Sequence, residues 1–129
     1  MDFQLKPRIY SLLLCAAAHA DEQSGRWVIQ PISEIATPRL PVDVAITVFA
    51  QIMGPPGRYT LDLRLYHLAD PEDSLQSLPA RAFTLHEGKN LDFVLQLRMR
   101  LAQHGLYILE ASIPDHHVAQ TPLRVSRGA

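Results

Sequence analysis

The stretch from Gly57 to Leu65 constrains the fold more than any other part of the sequence. Apolar residues occupy the odd positions from Tyr59 to Leu65, and polar residues occupy the even positions between them. Successive side chains of a β-strand point to opposite faces, whereas a helix would scatter these leucines around its circumference. The preceding turn, Gly54-Pro55-Pro56-Gly57, combines prolines, which fix the backbone angle φ, with glycines, which allow positive φ. The pattern therefore predicts a strand with one buried face, entered from a turn.

Similar patterns recur along the chain, separated by polar or proline-containing turns. The longest alternation starts at Phe93, and Gly105-Leu106-Tyr107 repeats the glycine-x-tyrosine start found at Gly57. Strands at this short, regular spacing favour an antiparallel sandwich or barrel. The predicted strands are Ile9–Ala18, Arg26–Gln30, Val42–Ile52, Gly57–Leu68, a broken edge strand at Arg81–Leu85, Phe93–Ala102, Tyr107–Ile113 and Val118–Val125.

Two further features favour two packed sheets. Tyr59 and Tyr107 each stand two positions after a glycine, which resembles the tyrosine corner of immunoglobulin-like sandwiches, where the ring packs in the core and the hydroxyl bonds back to the backbone. The segment 32–41 contains Pro38 and Pro41 and is predicted to cross between sheets as a loop. We therefore predict an all-β, antiparallel immunoglobulin-like β-sandwich of about eight strands, with no substantial helix.

Length and charge restrict the organisation and the partners. A chain of 129 residues suits a single domain, predicted to span 1–129. The 12 basic and 13 acidic side chains give a net charge of −1, which predicts neither a nucleic-acid nor a membrane partner. One cysteine, Cys15, permits no internal disulfide.

The first twenty residues have two interpretations. Lys6 and Arg8 precede an apolar run, and Ala18-His19-Ala20 resembles the cleavage site of an export signal. Alternatively, the run Ile9–Ala18 is a buried first strand, since hydropathy alone does not distinguish so short a run from a core element. We favour the strand and a cytoplasmic protein; the alternative is a periplasmic or secreted protein from which residues 1–20 are cleaved.

The order of these features resembles a known kind of family across nearly the whole chain. It is similar to the small, uncharacterised bacterial and phage-associated domain families of unknown function. The resemblance implies an immunoglobulin-like sandwich that includes the first apolar run, and it implies no catalytic or binding residues. The segments that carry it are Leu12–Cys15, Ser24-Gly25, Ile32–Ile35, Pro38–Pro41, Gly57–Tyr59, Gly105–Tyr107 and Pro122–Val125.

The residues that could carry chemistry are scattered. The adjacent His116 and His117 would point to opposite faces of a strand, and the other histidines fall at strand ends or in turns, which predicts solvated surface side chains. Cys15 lies among apolar neighbours, where a thiolate is poorly solvated. No serine stands in a nucleophile-elbow context, and Gly54–Gly57 lacks the residues of a phosphate-binding loop. We therefore predict that the protein is not an enzyme and has no catalytic, cofactor-binding or metal-ligating residues.

One irregularity bears on function. Phe49, Tyr66, Val94 and Ile108 are apolar residues at positions that should face outward, and they would form an exposed patch if their strands adjoin. The alternative is that an edge loop or the first hairpin covers them. The patch predicts a non-enzymatic protein–protein interaction or accessory module, acting on an unidentified protein partner or by self-association. The runner-up is an exported β-sandwich that carries a small ligand or a metal.

Overall fold

The computed structural model describes residues 6–128, which form nine β-strands. Within these residues there is no helix, and hence none that could cross a bilayer. The predicted all-β class is confirmed. The strands are β1 Arg8–Ala20, β2 Trp27–Pro31, β3 Glu34–Ala36, β4 Val42–Met53, β5 Gly57–His67, β6 Gln76–Leu85, β7 Leu91–Leu101, β8 Gly105–Ile113 and β9 His117–Ser126.

Two sheets pack face to face. The four-stranded sheet has the order β2-β1-β4-β7, and the five-stranded sheet has the order β3-β9-β8-β5-β6. The pairings are antiparallel except that of β3, which runs parallel to β9. The orders β1-β4-β7 and β9-β8-β5-β6 correspond to the A-B-E and G-F-C-C′ strands of immunoglobulin-like sandwiches. The arrangement therefore agrees with the predicted sandwich.

The core lies between the inner faces of the two sheets. Leu61, Leu63 and Leu65 of β5 are at most 1% exposed, as the alternation predicts. They pack in one cluster with inward side chains of the other sheet, including Leu14 and Ile52. Each such aliphatic side chain contributes about 1.5–3 kcal/mol when fully buried.

Both predicted tyrosine corners are present. Tyr107 is 2% exposed, and its hydroxyl accepts hydrogen bonds from the backbone N–H groups of Ala102 at 3.1 Å and Gln103 at 3.2 Å. The hydroxyl of Tyr59 donates to the carbonyl oxygen of Pro55 at 2.8 Å. Each ring therefore ties the start of its strand to the turn before it.

Two segments differ from the predictions. The predicted loop 32–41 contains β3, because Glu34–Ala36 pairs with the last strand, and this raises the count to nine strands. The edge strand β6 begins at Gln76 rather than Arg81. Its pairing with β5 shifts register between Leu61 and Leu63, and this irregularity accommodates Pro79 within the strand.

Candidate interaction surface

The four predicted surface residues form two cross-strand pairs on different sheets. Phe49 of β4 lies opposite Val94 of β7 in the four-stranded sheet. Tyr66 of β5 lies opposite Ile108 of β8 in the five-stranded sheet. Their inward neighbours fill the core, so each pair faces away from the partner sheet. The structure thus brings the residues together two by two, on opposite sides of the sandwich.

The first hairpin covers Phe49, one member of the pair on the four-stranded sheet. Phe49 is only 2% exposed, and the ring of Trp27 lies 5.3 Å from it between centroids. The indole Nε1–H of Trp27 donates to the Asp92 carboxylate at 2.7 Å, and Gln51 donates to the other oxygen of that carboxylate at 3.2 Å. These contacts hold the start of β2 over the outer face, where Val94 stays 36% exposed.

The pair on the five-stranded sheet belongs to a longer apolar row. Ile108 pairs with Tyr66 on one side and with Pro122 of β9 on the other. Pro122 is exposed, and the other two side chains are only partly buried. We call these three residues the apolar row. It crosses three adjacent hydrogen-bonded strands, which is the kind of surface on which a partner protein can pack.

A polar row runs beside the apolar row. Arg64 lies opposite Glu110, and Glu110 lies opposite Gln120. The amide of Gln120 donates to the hydroxyl of Tyr66 and to the carboxylate of Glu110, each at 3.1 Å. These bonds fix the Tyr66 ring from its polar end. The surface therefore offers an apolar strip next to one positive and one negative side chain.

The side chains of two histidines, His67 and His104, form hydrogen bonds with backbone groups. His67 is 6% exposed, so the prediction that the histidines are solvated is wrong for this residue. Its Nε2–H donates to the carbonyl oxygen of His104 at 2.8 Å, and its Nδ1 accepts from the N–H of Ala69 at 3.1 Å. The ring of His104 in turn donates to the carbonyl oxygen of Thr37 at 2.9 Å. Both rings therefore tie loops to the end of the sandwich.

The adjacent histidines are also engaged in the fold. His117 accepts the N–H of Ile9 at its Nδ1, at 2.9 Å. Burial and the positive charge of Arg8 lower the pKa of His117. His116 packs edge-on against Tyr59, with ring centroids 5.7 Å apart. In the part of the chain from residue 6 to 128, no group of three or more potential metal ligands comes together.

Cys15 is fully buried on the outer side of β1, opposite Thr47 of β4. Burial raises the pKa of its thiol, which disfavours the thiolate. Its Sγ lies 3.8 Å from the carbonyl oxygen of Leu13. The thiol therefore acts as a small packing group.

Two features that shape these surfaces were not predicted. Pro122 follows from the alternation of β9, because it is the outward neighbour of the buried Leu123. The bond between Trp27 and Asp92 joins positions 65 apart in the sequence. No local pattern signals such a contact, because it depends on how the hairpin folds over the sheet.

Comparison with known proteins identifies the fold alone. No protein-family model and no curated protein matches the sequence. Solved structures do resemble it. A β-glucosidase from Erythrobacter marinus is 11% identical with a TM-score of 0.57, covering 94% of this chain and 15% of the enzyme.

Two more β-glucosidases resemble the chain to a similar degree. The enzyme from Listeria innocua is 9% identical with a TM-score of 0.57, over 97% of this chain and 16% of the enzyme. A β-D-glucoside glucohydrolase from Trichoderma reesei is 14% identical with a TM-score of 0.57, over 95% of this chain and 19% of the enzyme. The chain thus spans less than a fifth of each of these three proteins, and identities this low carry fold and not activity.

Proposed function

We propose that the protein is a non-enzymatic protein–protein interaction or accessory module whose partner contacts the outer face of the five-stranded sheet. The observation that carries the proposal is the apolar row of Tyr66, Ile108 and Pro122, which stays partly exposed across three adjacent strands. The row lies on three hydrogen-bonded strands in the middle of the sheet, so its backbone is already ordered before a partner packs on it.

The charges beside the apolar row fit self-association as the first form of partner. Arg64 and Glu110 occupy the same rung on neighbouring strands. A two-fold axis parallel to the strands and midway between them would place Arg64 of one copy over Glu110 of the other. The same axis would place Tyr66 over Ile108. Such a face is complementary to itself, as a two-fold dimer requires.

Three observations support a role without catalysis. The thiol of Cys15 is buried and its pKa is raised. His67, His104 and His117 are hydrogen-bonded to backbone groups. The fold also matches only 15–19% of the length of the three glucosidases described above, which suits a structural or accessory unit.

The proposal places the protein in a bacterial cytoplasm, with the first apolar run retained. The run forms β1, whose Ile9, Leu12 and Leu14 belong to the core. This supports retention over the alternative of an exported carrier. The bacterial source rests on the family resemblance of the sequence.

The experiment replaces the centre of the apolar row. The double variant Tyr66→Ser, Ile108→Ser should lower the average mass in solution, measured by light scattering over a range of concentrations, because it removes the apolar contact. Val118→Ser is the matched control, since Val118 is 53% exposed on the same sheet but outside the row. A wild-type mass that stays monomeric at every concentration, together with equal partner retention in pull-downs by wild type and the double variant, would contradict the proposal.

A further inference from the structure

A groove of about 590 Å³ opens between the two sheets at the edges formed by β6 and β7. Two cross-sheet contacts bracket it. At one end, the rings of Phe83 and Phe93 meet edge to face with centroids 5.8 Å apart. At the other end, Gln76 of β6 bonds to the backbone of Arg100 of β7. Between these points the edges separate, and the volume is in the range of natural ligand sites.

The bond at Gln76 indicates which backbone groups face the groove. Its amide donates to the carbonyl oxygen of Arg100 at 2.6 Å and accepts the N–H of Arg100 at 3.0 Å, as a neighbouring strand would. The N–H and C=O of Arg100 therefore point away from β4. Since this direction alternates along a strand, those of Val94, Gln96 and Arg98 point the same way. Within residues 6–128, no strand pairs with this edge of β7.

The two edges of the groove are not equivalent. β6 contains Pro79, which has no N–H, and its pairing with β5 is irregular beside that residue. β7 is regular and pairs with β4 without interruption from Leu91 to Leu101. A strand entering the groove can therefore continue the ladder on β7, while β6 forms the opposite wall.

The groove carries positive charge. Arg81 and Arg98 line it from opposite walls, and no acidic residue is among the described residues that line it. The next arginine along β7, Arg100, already has the carboxylate of Asp43 at 3.6 Å. Arg98 and Arg81 thus remain to meet an anionic group on a bound segment.

We propose that this groove binds an extended acidic peptide segment of a partner protein, which adds as a strand to the open edge of β7 at Val94–Arg98. The backbone of the segment pairs with the outward groups of β7, and its carboxylates meet Arg81 and Arg98. About five residues, or roughly 17 Å of extended chain, span the open edge. The site shares no residue with the apolar row, so a negative result for one proposal does not affect the other.

The test uses the full chain and a fluorescein-labelled octapeptide of alternating valine and glutamate. Fluorescence anisotropy should show saturable binding that an alternating valine and lysine peptide lacks. Reversing the two groove charges, Arg81→Glu with Arg98→Glu, should weaken binding about tenfold or more. The matched control, Arg58→Glu with Arg124→Glu, makes the same change in net charge at exposed positions away from the groove and should leave binding unchanged.

Two further measurements separate strand addition from charge attraction. N-methylation of all valine amides or of all glutamate amides blocks one edge of the peptide or the other, so one version should lose binding and the other should keep it. In the wild-type protein, the peptide should slow hydrogen exchange at the amides of Val94, Gln96 and Arg98. Equal binding by both methylated peptides, equal weakening by the two charge-reversal variants, or no binding at millimolar protein would each overturn the proposal.

Discussion

Tyr107 is the residue through which the turn between β7 and β8 is held to the core. Its ring is buried, while its hydroxyl accepts two backbone N–H groups of the turn, from Ala102 and Gln103. Each such hydrogen bond contributes about 0.5–1.5 kcal/mol to stability, and removing the hydroxyl takes the acceptor from both N–H groups. The hydroxyl therefore has a structural role that its small size does not suggest.

Replacing Tyr107 with phenylalanine should lower the free energy of unfolding by about 1–3 kcal/mol, because two N–H groups lose their partner while the ring is retained. Urea unfolding followed by circular dichroism measures the change. Tyr59→Phe is the matched control, since it removes one bond, to Pro55, from a ring that is only partly buried. A loss in Tyr107→Phe no greater than that in Tyr59→Phe would contradict this account.

His117 should make stability depend on pH. Burial and the charge of Arg8 lower its pKa in the folded state, below the value of about 6.5 expected when unfolded. Between those two values the unfolded chain binds more protons than the folded chain, so stability falls as pH decreases through that window. Protonation would also place a proton on Nδ1, which accepts the N–H of Ile9.

The measurement is the free energy of unfolding from pH 8 down to pH 5. His117→Asn offers an acceptor and does not titrate, so it should lose less stability than wild type over the range in which pH falls below about 6.5. His116→Asn makes the same substitution at the neighbouring exposed position and is the matched control. Parallel curves for wild type and His117→Asn would rule out this assignment.

At the scale of elements, the hairpin of β1 and β2 acts as a cover for the outer face of the four-stranded sheet. Its turn is fixed by Asp21, whose carboxylate accepts hydrogen bonds from the Ser24 hydroxyl at 2.6 Å and the Ser24 N–H at 3.2 Å. These bonds lower the pKa of Asp21. Trp27 follows this turn and packs on Phe49.

Removing the Trp27 side chain should expose the region around Phe49 and Cys15. The thiol of Cys15 reacts slowly while it is buried and protonated, so Trp27→Ala should raise its rate of reaction with Ellman's reagent. Trp27→Phe keeps the ring contact and loses only the bond to Asp92, so its reaction rate should lie between those of wild type and Trp27→Ala. Equal rates in all three proteins would mean that the hairpin does not control access to the thiol.

Some elements could be predicted from the sequence, and others could not. The alternation of β5 and β7 predicted strands with one buried face because side-chain period is a local property. The short β3 was missed because three residues carry no period, and β9 stabilises them from a distant part of the chain. The role of Gln76 was missed for the same reason. Its amide makes the two hydrogen bonds to Arg100 that a neighbouring strand would make, and this contact forms only where the fold brings β6 next to β7.

The candidate surface likewise has one property that the sequence could predict and another that it could not. Tyr66 and Ile108 of the predicted patch occupy outward strand positions, since their neighbours Leu65 and Leu109 face the core. The sequence could not assign the patch residues to sheets. Strand order depends on long-range pairing, and it placed Phe49 under Trp27 while leaving Tyr66 on an open face.

At the scale of the whole molecule, β1 connects the first hairpin, the four-stranded sheet and the five-stranded sheet. It pairs with β4 from Arg8 to Cys15 and with β2 from Cys15 to Ala20. It also reaches the other sheet, where the N–H of Ile9 donates to His117 at the start of β9. One strand thus belongs to the core, supports the covering hairpin and joins the two sheets along one side.

A chain that starts at Asp21 should therefore fail to fold. It loses the buried Ile9, Leu12 and Leu14, and burying each such side chain contributes about 1.5–3 kcal/mol. Together these losses are comparable to the total stability of a typical domain, about 5–15 kcal/mol. The variant also leaves the edge of β4 unpaired.

The matched control is a chain that starts at Lys6 and keeps all of β1. It should give a dispersed amide NMR spectrum and a cooperative thermal transition, whereas the chain that starts at Asp21 should give neither. If the shorter chain folds as well as the control, β1 is dispensable, and cleavage after Ala20 becomes compatible with a stable sandwich. The same pair of chains therefore tests both the architecture and the proposal that the first apolar run is retained, because the contacts of β1 are what make its removal costly.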